Sequence, residues 1–88
     1  MKATHIVAVQ SGWVFVGTKP DAANQPTSGV LTILNAACVR RWGTTMGLGE
    51  LALSGPTKET ILELCGTVDI AAPAVLFSIP VDPAKWKS

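Results

Sequence analysis

Charge is what this 88-residue sequence has least of. Asp, Glu, Lys and Arg make up 15% of it, against about 25% in an average soluble domain. Hydrophobic residues make up 48%. A chain of this length forms one thin core and keeps a high surface-to-volume ratio, so the balance leaves apolar surface to be covered. Large exposed apolar patches usually meet a partner, and the commonest partner is another copy of the same chain. Homo-oligomerisation is therefore expected. The net charge of +1 gives no electrostatic footprint for an extended nucleic acid.

Other scarcities narrow the chemistry. No apolar run approaches the ~20 residues of a membrane-spanning helix, and Ile6–Val9 is too short for the core of a secretory signal. A cytoplasmic protein with no membrane partner is expected. Histidine occurs once, as His5, and cysteine twice, as Cys38 and Cys65. That is too few for a zinc set, and it allows no Ser-His-Asp or Cys-His arrangement. Both cysteines lie in apolar runs and read as reduced, buried hydrophobes, with a disulfide between them left open. No cofactor is expected.

What is present is mostly strand. The runs 5–9 and 13–17 flank Gln10-Ser11-Gly12 and read as a hairpin. Trp13 and Phe15 face one way and Val14 and Val16 the other, so both sides need a cover. Residues 18–28 hold Pro20 and Pro26 and read as a surface loop. Residues 29–34 and 37–42 read as two further strands separated by a turn at Asn35-Ala36. Leu48 to Ser54 suits a short helix, with Leu48, Leu51 and Ala52 inward, stopped by Gly55-Pro56. Residues 57–66 are ambiguous, with helical spacing at Ile61, Leu64 and Cys65 and strand alternation at Thr60, Leu62 and Leu64, and on balance read as irregular with a turn at Gly66. Residues 67–70 and 74–79 are strands, and 82–88 form a C-terminal tail in which Trp86 clamps to the body or to a neighbouring subunit. The expectation is one mainly β domain over residues 1–88. It is a compact antiparallel sheet or barrel-like sandwich of five to six short strands, with one short helix after residue 47.

One stretch stands apart from this core-building pattern. Residues 40–49 carry two arginines and no acid, and the following twenty residues carry four acids against one lysine. A small cationic spot of that kind suits a small anion. Arg40 or Arg41 could hold a phosphate or carboxylate bidentately. Trp42 could stack on a base, Gly43 and Gly47 could offer backbone donors, and Thr44 and Thr45 could offer hydroxyls. Strand alternation puts Arg40 and Trp42 on one face and Arg41 on the other. The spacing is not that of a phosphate-binding P-loop, because Leu48-Gly49-Glu50 follows Gly47 where Lys-Ser/Thr would be needed. A plainer reading fits the same residues: a glycine-rich turn with Trp42 in the core and the arginines paired with Glu50, Glu59 or Glu63. Glu59 and Glu63 stand four apart, which on a helix would place them on one face, and metal-dependent phosphoryl chemistry is the corresponding enzymatic alternative.

The series Asn35-Ala36, Val39-Arg40-Arg41-Trp42-Gly43-Thr44-Thr45, Gly47-Leu48-Gly49-Glu50-Leu51-Ala52, Gly55-Pro56 and Cys65-Gly66-Thr67-Val68 resembles a group of short, functionally unassigned proteins of tailed bacteriophages and prophages. The resemblance covers about residues 7–80 and carries no assigned catalytic or ligand residues. It implies a non-enzymatic accessory protein acting in the host cytoplasm. Such a protein would bind a small anionic, nucleotide-like ligand and sequester a host defence signal. The alternative is a protein–protein interaction module that inhibits a host protein or rides on the virion.

Overall fold

The computed structural model describes residues 2–20, 29–43 and 47–86. β1 (His5–Val9) and β2 (Val14–Thr18) form the expected hairpin, with His5 opposite Gly17 and Ala8 opposite Val14. A 3-10 turn over Gln10–Gly12 joins them, and Ser11 and Gly12 there take left-handed φ of 72° and 83°. β3 (Val30–Arg41) pairs with β2, β4 (Ile61–Ala71) pairs with β3, and β5 (Val75–Pro80) pairs with β1. All pairings are antiparallel, and the sheet order is β4-β3-β2-β1-β5. α1 (Leu48–Ser54) lies between β3 and β4.

Each side of this sheet has its own core. The first cluster gathers Ile6, Val14, Val16, Ala37 and Val39 under α1, whose Leu51 and Ala52 are fully buried, with Leu48 packed against them. Trp86 closes the same cluster at 1% exposure, and its indole N–H donates to the carbonyls of Leu51 (3.1 Å) and Ala52 (3.2 Å). The C-terminal segment is tied in further by Val81 N–H to Thr4 O, Asp82 N–H to Ala52 O and Ala3 N–H to Trp86 O. The tryptophan therefore clamps its own chain. The second cluster, on the opposite side, holds Val7, Leu31, Ile33, Ala36 and Ile70, with Val9, Phe15, Val68 and Val75 packed around it. Both sides of the β1–β2 hairpin are thus covered substantially from within the chain.

Two expectations about local structure need correction. Asn35-Ala36 does not separate two strands. β3 runs through it, with Asn35 at φ 48° and the register with β4 shifting between Ile33 and Ala37. The shift reverses the strand's phase. Leu31 and Ile33 face the second cluster, and so does Ala36, whereas Ala37 and Val39 face the first. Residues 61–66, expected to be irregular with a turn at Gly66, belong to β4. There Gly66 (φ 75°) and Cys65 take up a compensating bulge between Ala36↔Gly66 and Ala37↔Leu64. A bulge inserts an unpaired residue and keeps the strand going, so turn chemistry at these positions bends a ladder instead of ending one.

Candidate functional site

The cationic stretch begins where β3 ends. Arg40 and Arg41 are its last two residues, and each meets one acid: Arg40 Nη1 to Glu63 Oε1 at 3.6 Å, and Arg41 Nη2 to Glu59 Oε2 at 3.8 Å. All four side chains are more than half exposed. The pairing with Glu59 and Glu63 is the one the plainer reading expects, and it separates those two acids from each other. Glu63 lies in β4 and Glu59 in the turn before it, so they share no helix face. Among the described residues, no three His, Cys, Asp or Glu side chains converge as a metal set.

Trp42 and Gly43 are held by a threonine turn. Thr60 Oγ1 donates to the Trp42 carbonyl (2.6 Å), and Thr57 Oγ1 donates to the Gly43 carbonyl (2.7 Å). Gly43 has φ 72°, and a Cβ there would run into the backbone of Glu59 and Thr60, so this glycine is required for the approach of the two segments. The Trp42 ring is not in the core, as the plainer reading has it. It is 42% exposed and lies over Gly47, where an added Cβ would sit 3.6 Å from the indole. Gly47 precedes α1 and its carbonyl accepts from Leu51 N–H, which spends that group on the helix. Thr44 and Thr45 lie outside the described residues.

Arg40 borders a cleft of about 290 Å³ that is formed with Cys38 on one side and Ser11, Gly12 and Trp13 on the other. Trp42 is not part of its lining. The aromatic partner of Arg40 in this cleft is Trp13, 50% exposed and stacked at 6.4 Å on Phe15 with the rings 12° from parallel. Sequence spacing hides this partnership, because β2 and β3 are brought side by side only by the sheet: Phe15 is opposite Cys38, two residues from both Trp13 and Arg40. Cys38 is among the residues that line the cleft. Burial pushes its pKa up, against the opposing pull of the Arg40 charge and hydrogen bond. Cys38 is buried as expected, but Cys65 is exposed, contrary to its apolar-run reading, because β4 is an edge strand.

His5 is also buried. Its Nδ1 lies 2.9 Å from Thr4 Oγ1, which also accepts from the Lys19 backbone N–H at 2.9 Å. Burial first, and the nearby Lys19 charge second, hold the imidazole pKa below its usual value. Among the described residues, further hollows flank the sheet. One of about 380 Å³ is apolar, between Trp13, Phe15, Val68 and Ala74, and one of about 350 Å³ lies at the bulge beside Lys2, Asn35 and Leu64. No helix among the described residues is long and apolar enough to cross a membrane. In comparisons with known proteins, the chain matches no protein-family model and no curated protein sequence.

Proposed function

We propose that this is a non-enzymatic phage or prophage accessory protein that self-associates and binds a small, planar anion of the nucleotide type in the Arg40–Trp13 cleft. The observation that carries the reading is that Arg40 and the half-exposed Trp13 line one cleft. An indole gives a stacking surface to any base, and Arg can add a cation–π contribution or grip a phosphate. The Arg40–Glu63 pair is long and solvated, and such pairs contribute little to stability. A ligand phosphate can replace the carboxylate at small cost. Sequestration of a defence signal in the host cytoplasm is the role in which simple binding is sufficient.

The test is native mass spectrometry of protein taken directly from cells, together with thermal shifts against a panel of mono-, di- and cyclic nucleotides. Binding that disappears in Arg40→Ala and Trp13→Ala, but survives in Trp42→Ala, supports the cleft. No stabilisation by any member of the panel would sink the ligand reading.

A second reading, a protein–protein interaction module inhibiting a host protein, draws on a different observation. The free edges β4 and β5 expose Leu64 (78%), Leu76 (60%) and Phe77 (48%), and α1 exposes Leu53 (65%). Unpaired apolar edges are templates for another chain. Sedimentation that shows only monomer, with no stoichiometric partner captured from host lysate, would count against it.

A further inference from the structure

We infer that Cys38 and Cys65 form a dithiol modification site, which closes into an intramolecular disulfide by exchange with a low-molecular-weight disulfide of the glutathione type. The inference is independent of the anion reading. Its basis is the β3–β4 register. Cys38 is opposite Glu63, and Cys65 stands two residues further along β4. In a regular ladder such diagonal neighbours have Cα atoms about 7–8 Å apart, just beyond the roughly 4.4–6.8 Å that a disulfide spans. This ladder is not regular there. Leu64 pairs with Ala37 and Gly66 with Ala36, so Cys65 is the inserted residue. β4 advances two residues for one of β3, which draws Cys65 back towards the level of Cys38.

Two further observations agree. The Cys65 thiol lies 3.3 Å from the Glu63 carbonyl, so it turns back along β4 towards the residue that faces Cys38. Cys38 borders the open cleft, so a bridge there need not form inside a closed core.

The asymmetry of the two thiols sets the order of steps. Cys65 is exposed and Cys38 is buried. Cys65 thiolate attacks one sulfur of the small disulfide, forming a mixed disulfide and expelling one small thiolate. Cys38 then loses its proton to water, and its thiolate attacks the Cys65 sulfur and expels the second small thiolate. The protein gives up two electrons and two thiol protons. The small disulfide accepts the electrons and leaves as two thiols.

The test is titration of the native, full-length protein with oxidised glutathione, followed by alkylation of free thiols and intact-mass measurement under non-reducing conditions. The expected product is a monomer lighter by two hydrogens that takes up no alkylating agent and regains two alkylations after reduction. Cys38→Ala should stop at a single glutathione adduct, and Cys65→Ser should remain largely unmodified. Circular dichroism of each variant separates a folding failure from a chemical one, and peptide mapping of the oxidised wild type locates the bridge without any variant. A wild-type protein that stops at the Cys65 adduct, or that forms only a covalent dimer through Cys65, would overturn the inference.

Discussion

The Trp86 indole donates to the Leu51 carbonyl across 35 positions of chain, and so fastens the segment after β5 to α1. Trp86 both fills volume in the first cluster and satisfies two helix carbonyls. The two contributions can be separated. Trp86→Phe keeps most of the volume and removes the two indole bonds, while the Leu51 and Ala52 carbonyls keep their backbone donors Gly55 and Asp82, so a loss of about 0.5–1.5 kcal/mol is expected. Trp86→Ala removes both and should cost about 3–5 kcal/mol. Urea denaturation midpoints of the two variants measure the difference, and equal losses would mean that the hydrogen bonds contribute nothing.

Gly55 ends α1 at φ 82° with its N–H on the Leu51 carbonyl, and a Cβ on it would lie 2.6 Å from the Lys85 carbonyl oxygen. Gly55→Ala combines the strain of a backbone conformation essentially confined to glycine (φ 82°, ψ 174°), about 1–3 kcal/mol, with a clash against the segment that carries Trp86. A loss larger than the backbone penalty alone is expected in thermal unfolding, and a change below that value would show that the clash relaxes freely.

His5 gives a pH dependence of definite sign. Its folded pKa lies below the ordinary value of 6.5, held down by burial and then by the charge of Lys19. The unfolded chain therefore binds a proton more readily than the folded one. Its contribution is fully present above pH 6.5 and is lost as pH falls through that value towards the folded pKa. Denaturation midpoints should fall between pH 7.5 and 5.5 in the wild type, and part of that fall should vanish in His5→Gln. Parallel pH profiles for the two proteins would refute the assignment.

Glu63→Gln breaks the Arg40–Glu63 pair. Both partners are solvated, so stability should change by less than about 1 kcal/mol. If the cleft takes an anion, the released guanidinium should bind it more tightly than in the wild type. Calorimetric titration with whichever nucleotide the panel selects reads this directly, and weaker binding in Glu63→Gln would contradict the role given to Arg40.

The same principles explain which parts of the fold were legible in the sequence. The β1–β2 hairpin, the helix halted at Gly55-Pro56 and the strand at Val75–Pro80 follow from local signals that nothing distant overrides. β3 and β4 do not. Alternation is readable only while a strand keeps one phase, and β3 changes phase between Ile33 and Ala37. β4 pairs on one side only and is mostly exposed, so packing imposes no hydrophobic period on it. In the candidate site, Arg40 was visible as part of a cationic spot. Its aromatic neighbour Trp13 lies 27 positions earlier and becomes a neighbour only through the β2–β3 pairing.

The paired bulges at Asn35 and Cys65–Gly66 give this ladder something like a reading frame. Upstream of the shift, odd residues of β3 belong to one core, and downstream they belong to the other. Deleting Asn35 would turn the shift into an ordinary two-for-two step, with Leu31, Ile33 and Ala36 still on one side of the sheet and Ala37 and Val39 on the other. A deletion elsewhere in β3 would turn one part of it inside out, so the centre of the ladder, with its exposed Asn and Gly, is where this strand can best lose a residue.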